Sequence, residues 1–207
     1  MNEFDQKAPE WDKNRMHADR AIAVAAKIQK MIPLKPGMKA MEFGAGTGLL
    51  SFCLEDCFSE ITLVDSSREM LKVAEQKLEN GSHPKFRTLY LDLESGEYGG
   101  DPFDIVYSQM VLHHIGDVHA LFGKLSRLLK PGGYLAVADQ YKEDGGFHDG
   151  ATNVHPGFDP GELNEMIAHH GFIDFQISPC YIIRKEVTPG NNKEYPVFLM
   201  TAQRPEN

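Results

Sequence analysis

The sequence predicts an α/β fold built on a mostly parallel sheet. Short apolar stretches alternate with segments of helical periodicity, which is the pattern of strand–helix–strand units. A loop with glycine at every second position, Gly44, Gly46 and Gly48, joins the first predicted strand to a helix. The next predicted strand, Glu60 to Asp65, ends in an acid about 20 positions after Gly44. Because neighbouring parallel strands end at one sheet edge, the loop and Asp65 should lie side by side.

Length and composition favour a single domain with a substantial core. The chain has 207 residues, of which 42% are hydrophobic. Its net charge of −9 gives no general attraction to nucleic acid or to an anionic membrane, and no apolar run approaches the ~20 residues of a membrane span. The polar N-terminus lacks the features of a signal peptide. We therefore expect a cytoplasmic monomer or homodimer whose partner is a small-molecule substrate, and we expect neither nucleic acid nor membrane as a partner.

The sequence pattern of the first 35 residues predicts a helical cover, which precedes the main domain at residues 36–207. Helical periodicity runs from Trp11 to Ile32, and Pro33, Pro36 and Gly37 then interrupt the chain. The expected apolar stripe of this helix consists of Ile22, Ala25, Ala26, Ile28 and Ile32. This segment is a candidate cover for the glycine loop; the alternative is a helix that only packs.

The glycine loop predicts a small-molecule site. Glycine permits backbone conformations that are closed to other residues and lets a ligand approach main-chain N–H groups. A dinucleotide fingerprint would need a glycine at the sixth position from Gly44, where this chain has Leu49. Asp65 could accept hydrogen bonds from both hydroxyls of a ribose, and it would repel a 2′-phosphate. A nucleoside ligand without a pyrophosphate is therefore favoured over a dinucleotide.

Further strands should bring polar residues to the same sheet edge. The third strand ends in Asp92 and Leu93, an acid beside an apolar residue, which suits an adenine. The fourth runs into Ser108 to Ile115, followed by a helix that begins at His113 and His114. The predicted strands three to five are Lys85 to Leu91, Phe103 to Tyr107 and Tyr134 to Asp139.

Residues 140–158 form a long loop that should lie at the same sheet edge as the glycine loop. The helix that follows has a predicted cap at Asp159 and ends at Gly171. Within this loop, residues that could contact a substrate are interspersed with glycines. His148, Asp149 and His155 could also be proposed as metal ligands, but they lack a tight ligand spacing such as His-x-x-x-His. We therefore predict no metal site.

In this order, the motifs resemble those of the class I S-adenosylmethionine-dependent methyltransferases of the small-molecule type. The resemblance covers roughly residues 38 to 140. The segments that carry it are Glu42 to Gly48 as the first motif, Asp65 as the acid after strand two, Asp92-Leu93 at the adenine position, Ser108 to His114 after strand four, and Lys130 to Gly133 before strand five.

The resemblance implies a three-layer Rossmann-like methyltransferase fold with seven strands in the order 3-2-1-4-5-7-6 and strand seven antiparallel. Strands six and seven would then be Phe172 to Ser178 and Tyr195 to Thr201. It also implies S-adenosylmethionine as the cofactor. The residues expected to bind it are Glu42, Gly44, Ala45, Gly46, Gly48, Asp65, Ser66, Met70, Asp92, Leu93, Ser108 and Gln109.

The predicted function is methyl transfer to a small-molecule acceptor. His113 or His114 is a candidate general base, and Trp11, Tyr141 and His155 are candidate substrate contacts. Two alternatives stay open: a noncatalytic S-adenosylmethionine-binding sensor, and a dinucleotide-binding oxidoreductase, against which Leu49 argues. Nucleic-acid amino-methyltransferases carry an Asp/Asn-Pro-Pro-aromatic segment after strand four. This chain has Ser108-Gln109-Met110-Val111 there, which argues against that class.

Overall fold

The computed structural model describes residues 3–148, 154–188 and 191–206. It contains a seven-stranded sheet in the order β3-β2-β1-β4-β5-β7-β6, which confirms the predicted fold class and strand order. The strands are β1 Lys39–Phe43, β2 Glu60–Asp65, β3 Phe86–Tyr90, β4 Phe103–Gln109, β5 Leu129–Gln140, β6 Ile173–Thr188 and β7 Asn191–Gln203.

The first five strands pair in parallel, and β7 is antiparallel to both β5 and β6. β1, β2 and β4 are buried along nearly their whole length, as expected for parallel strands covered on both faces. β6 and β7 are longer than predicted. They form an extended hairpin beyond the predicted bounds at Ser178 and Tyr195.

Helices cover both faces of the sheet. The two hydrophobic cores lie on opposite faces: one contains residues of α2, α3 and α4, and the other contains residues of α5 and α6. The helices are α1 Glu3–Lys7, α2 Arg15–Met31, α3 Leu49–Cys53, α4 Arg68–Asn80, α5 Val118–Leu128 and α6 Pro160–His169. None of the described helices is long and apolar enough to cross a membrane.

The N-terminal helix differs from its prediction in two respects. Trp11 lies in a 3₁₀ segment, Ala8–Lys13, and α2 begins only after Asn14, whose side chain accepts a hydrogen bond from the amide of Met16. Two members of the predicted stripe were wrong, because Ile22 is 58% exposed and Ala26 is exposed, whereas Ala25, Ile28 and Ile32 are buried as predicted. The face that packs on the sheet consists instead of Ala21, Val24, Ala25, Ile28 and Ile32, which have the spacing of one helical face.

Two helices begin at other residues than the sequence suggests. Ser66 and Glu69 have the spacing of a capping box, but Ser67 caps α4, and its hydroxyl accepts a hydrogen bond from the amide of Met70 at 3.2 Å. His113 and His114 lie in a separate 3₁₀ turn, Leu112–His114, and α5 begins only at Val118, where Asp117 caps it. The cap of α6 is confirmed: the Asp159 carboxylate accepts from the first amides of the helix.

Candidate functional site

The glycine loop lies at the carboxyl end of β1, and its three glycines all have left-handed backbones. The φ angles of Gly44, Gly46 and Gly48 are +61°, +54° and +80°. A Cβ atom on Gly44 would lie 2.7 Å from Cγ1 of Val111, so this glycine permits close packing against the segment after β4. A Cβ atom on Gly46 would meet nothing closer than Sδ of Met70 at 3.9 Å. Gly46 therefore faces open space beside Met70, where a ligand would fit.

Asp65 ties this loop to the start of α4. Its Oδ2 accepts a hydrogen bond from the Gly46 amide at 2.6 Å, and its Oδ1 accepts from the Ser67 amide at 2.7 Å. Burial raises the pKa of the Asp65 carboxyl, while the backbone hydrogen bonds oppose that rise. The Ser66 amide is a third backbone donor to this carboxylate, which leaves at least one acceptor position for a further donor. Asp65 and Gly46 therefore stand together as the predicted ribose site requires.

Glu42 is placed differently from the other predicted cofactor residues, since it is fully buried beneath the loop. Its Oε2 accepts hydrogen bonds from the Ser51 amide at 3.2 Å and the Ser51 hydroxyl at 2.5 Å, and that hydroxyl also contacts the Tyr107 hydroxyl at 2.7 Å. Burial raises the pKa of Glu42 to about 8. These contacts join β1 to α3 and β4, and a contact between Glu42 and the cofactor stays a prediction.

The predicted adenine residues follow β3, next to Asp65. The exposed Asp92 carboxylate accepts hydrogen bonds from the Glu94 amide at 2.9 Å and the Ser95 hydroxyl at 2.7 Å, so it also stabilises a turn. Leu93 is buried in a core cluster. Asp92 is accessible to a ligand, but its role towards adenine stays a prediction.

The end of β4 offers polar atoms that lack partners within the described part of the chain. Oγ of Ser108 and Oε1 of Gln109 are both buried and form no hydrogen bond. β4 pairs directly with β1, so these atoms stand beside the strand that leads into the glycine loop. On the other side of the loop, the Ala45 amide is bonded to the carbonyl of Val64 in β2. Buried polar atoms without partners at a ligand edge fit a polar ligand.

The two candidate bases occupy different environments. His113 is only 2% exposed, and its Nδ1 lies 2.8 Å from Oδ1 of the buried Asp139. His114 lies beside it, with ring centroids 4.1 Å apart. Burial first, then the charges of His113 and His148, lower the pKa of His114 to about 3, so its imidazole is neutral at physiological pH.

His148 completes a histidine cluster that spacing alone did not predict. Its ring centroid lies 4.9 Å from that of His113 and 5.5 Å from that of His114. One ring nitrogen of each histidine lies within 4.8 Å of the other two, a separation that would allow a metal ion to bind. Of the other proposed ligands, His155 lies outside this group and Asp149 lies outside the described residues.

Asp139 was not singled out as a site residue from the sequence. Like Asp65, it is an acid near the carboxyl end of a predicted parallel strand, and this signal could have found it. Its Oδ2 also accepts a hydrogen bond from the His113 amide at 3.3 Å. Asp139 therefore fixes both the backbone and the ring of His113.

The N-terminal segment, residues 3–13, extends from the glycine loop to the histidines. The Thr47 hydroxyl donates to Asp12 at 2.5 Å, and Lys77 donates to the same carboxylate at 2.9 Å. The Ser67 hydroxyl donates to Asp5 at 2.7 Å. At the other end, the Phe4 ring contacts the His114 ring edge-on at 5.1 Å.

The predicted substrate contacts are distributed unevenly around this site. Trp11 packs on His17 at 4.1 Å and lies 6.2 Å from Phe4. The His155 amide donates to the carbonyl of His113 at 2.7 Å, and the His155 ring stacks on Phe158. Tyr141 instead packs against Phe198 in the sheet, at 5.2 Å. Trp11 and His155 are thus connected to the site through neighbours, and contact of all three residues with substrate stays a prediction.

A buried arginine on α2 was also missed. Arg20 is 5% exposed, and within the described ranges no carboxylate lies within ion-pair distance of it. Its Nη1 contacts Sδ of Met16 at 3.5 Å, and its Nε has no partner. Burial lowers its pKa to about 10, while Asp139 acts in the opposite direction. Only its position next to the apolar face of α2 could have drawn attention to it.

Comparisons with known sequences indicate the kind of domain that this chain resembles. A family model described as a methyltransferase domain matches residues 41–137. The chain is 37% identical over 145 residues to an uncharacterised methyltransferase of Schizosaccharomyces pombe, covering 66% of this chain and 49% of that protein. It is 34% identical over 112 residues to a ubiquinone biosynthesis O-methyltransferase of Xylella fastidiosa, covering 54% and 45%. The chain thus spans about half the length of these curated relatives.

Solved structures share the fold. A chain of the Haloferax volcanii complex that contains the Trm112 methyltransferase activator matches with a TM-score of 0.78 and 19% identity, covering 99% of each chain. Haemonchus contortus phosphoethanolamine N-methyltransferase 2 in complex with S-adenosyl-L-methionine matches with a TM-score of 0.73 and 18% identity, covering 88% of this chain and 52% of that one.

Proposed function

Because the chain belongs to the class I S-adenosylmethionine-dependent methyltransferases, with S-adenosylmethionine as the cofactor, we propose that it transfers a methyl group to a small-molecule acceptor. The observation that carries this proposal is the path of the N-terminal segment. That segment contacts the glycine loop through Asp12 and the histidine cluster through Phe4. The acceptor space is therefore covered, which suits a small molecule better than a macromolecular surface.

The covering contacts include ion pairs and side-chain hydrogen bonds between polar residues. The Asp12 side chain is 32% exposed and that of Lys77 is 29% exposed, so their ion pair contributes only modestly to stability. Phe4 closes the opposite end by packing, without a hydrogen bond to His114. Weak contacts of this kind allow the segment to open for exchange of ligands and to exclude water when it is closed.

The site residues have separable tasks in this reaction. Bound S-adenosylmethionine supplies an electrophilic methyl group, so the protein mainly needs to hold the nucleophile in line and at near-contact distance. Asp65 and the backbone of the glycine loop hold the nucleoside end. An oxygen or nitrogen acceptor must also lose a proton, and His113, whose ring is held by Asp139, is the residue that we place at that step. The lowered pKa of His114, about 3, makes that imidazole a weak proton acceptor.

Arg20 suggests the chemical class of the acceptor. A guanidinium that is buried without a counter-ion is costly, and a ligand that brings a carboxylate or phosphate would offset this cost. Two further buried groups, the side-chain amide of Gln140, which follows Asp139 in the chain, and the hydroxyl of Tyr195, also lack partners among the described residues. We infer that the acceptor carries an anionic group that binds Arg20.

Transfer of label from methyl-labelled S-adenosylmethionine tests both parts. The full-length protein should label components of a fractionated metabolite extract, and anionic components in particular, but it should not label total RNA or denatured protein. Arg20→Met should lose that labelling while S-adenosylmethionine affinity stays within about twofold. Lys27→Met, at a half-buried lysine of the same helix, is the matched control and should be active. Labelling confined to RNA or protein would contradict the small-molecule proposal, and labelling of uncharged acceptors alone would contradict the role of Arg20.

A further inference from the structure

We propose that His113, His114 and His148 form a binding site for a divalent transition-metal ion, with Zn²⁺ as the best fit. Three neutral imidazoles are a common ligand set for catalytic zinc. The existence of this site does not depend on the proposed function, but its role in methyl transfer does.

The three ring nitrogens are close enough for one ion. They lie within 4.8 Å of one another, whereas nitrogen ligands at ~2.0–2.1 Å around a tetrahedral zinc ion are separated by about 3.4 Å. The difference is little more than an ångström, which rotation of the side chains can supply. His113 and His114 are fixed by the turn after β4, so His148 is the ligand that has to adjust most.

Asp139 supplies the supporting hydrogen bond that metal-binding histidines usually have. Its bond to Nδ1 of His113 leaves Nε2 of that ring as the ligand and makes it a stronger donor. The carboxylate is completely buried, so its negative charge also offsets part of the charge of the ion.

Aromatic rings surround the cluster and limit its access to water. Phe4 lies 5.1 Å from His114, and Phe147 lies 4.8 Å from His148 and 6.4 Å from His113. An apolar surround of this kind strengthens the interaction between an ion and its ligands.

A second trio of histidines provides an internal comparison. His119, His169 and His170 have ring centroids 4.3–5.4 Å apart, which is similar to the spacing in the proposed site. In this trio, however, Nε2 of His170 and Nδ1 of His119 are bonded to each other at 3.0 Å. His119 and His169 are exposed, and no carboxylate is bonded to the trio in the part of the chain that the structure describes. Ring proximity alone therefore does not distinguish the two clusters, whereas the buried carboxylate does.

With three protein ligands, one coordination position would remain for the acceptor. A hydroxyl or thiol that bound there while the N-terminal segment is open would release its proton to solvent more readily, because the ion stabilises the resulting anion. In the metal-loaded protein His113 would act as a ligand, and it would take up the proton only in the metal-free form.

Zinc binding to the tag-free, full-length protein after treatment with a chelator tests the site directly. Calorimetry and metal analysis after desalting should show one equivalent bound. His148→Ala should lower the affinity at least tenfold, Asp139→Asn should lower it roughly 10–100-fold, and His169→Ala should leave it unchanged. The visible absorption of bound Co²⁺ should indicate tetrahedral coordination, which provides a second measurement if a variant folds poorly. Absence of stoichiometric binding to the wild type, or equal losses in His148→Ala and His169→Ala, would overturn the site.

Methyl transfer is measured separately on the metal-free and zinc-loaded wild type. Faster transfer in the loaded protein supports the role, and equal rates with stoichiometric binding overturn the role while the site itself stands. Failure of both forms to methylate any small acceptor counts against the proposed function and leaves the binding result unaffected.

Discussion

Replacing Glu42 by glutamine should change how the stability of the protein depends on pH. The carboxyl is fully buried, and its pKa is about 8 in the folded protein against 4.5 ordinarily. Between these values the folded state binds more protons than the unfolded state, so the free energy of unfolding decreases as pH rises. The contribution of Glu42 is therefore most favourable below pH 4.5 and is lost as pH rises towards 8.

The expected magnitude follows from the size of the shift. The slope is about 1.4 kcal/mol per pH unit between the two pKa values, so Glu42 should cost the protein about 2–3 kcal/mol between pH 5 and pH 7. Glutamine has nearly the same shape as the protonated carboxyl and retains an oxygen for the Ser51 donors. Glu42→Gln should therefore match the wild type near pH 5 and exceed its stability by about 3 kcal/mol at pH 7, which is roughly 5–10 °C in Tm for a domain of this size.

Denaturant unfolding of both proteins at pH 5, 6, 7 and 8 measures the difference. Asp65, whose pKa is also raised, is present in both proteins and cancels in the comparison. Glu79→Gln, at an exposed position on α4, is the matched control and should give a flat difference. A flat difference for Glu42→Gln would refute the reasoning, because it would mean that the folded state ionises Glu42 as readily as the unfolded state does. A tenfold loss of S-adenosylmethionine affinity in the same variant would support the cofactor contact predicted from the sequence.

Three further predictions concern the cofactor edge. Asp65→Ala should weaken S-adenosylmethionine binding by roughly 1.5–3 kcal/mol in calorimetry, because it removes charged hydrogen bonds, and wild-type affinity would refute the ribose assignment. Gly46→Ala should lower stability by about 1 kcal/mol, because the φ angle of this residue is +54°. It should weaken cofactor binding much more, because the new methyl group would occupy the open space where the ligand is expected. Loss of stability without loss of binding would place the ligand elsewhere. Trp11 fluorescence should change on addition of cofactor or acceptor, and an unchanged spectrum together with full activity after deletion of residues 1–14 would leave the segment with a packing role only.

The placement of the glycine loop beside Asp65 could be predicted from the sequence because its determinants are local. Gly44, Gly46 and Gly48 have left-handed backbones, which glycine adopts readily. The position of Asp65 could be predicted because parallel strands end at a common edge, so that position along the chain determines position in space. The regular alternation of strands and helices, together with the family resemblance, determined the strand order in the same way.

Tertiary structure alone decided the acceptor half. Packing against the sheet sets the rotation of α2 about its axis, which exposes Ile22 and buries Arg20. The hydrophobic residues of this helix would also have allowed a different face to pack on the sheet. His148 joins His113 only because the loop after β5 folds back over the turn after β4, and no short spacing in the chain records this contact. Side chains from distant segments are brought together by the packing of whole elements, so the histidine cluster and the burial of Arg20 could be found only after the fold was known.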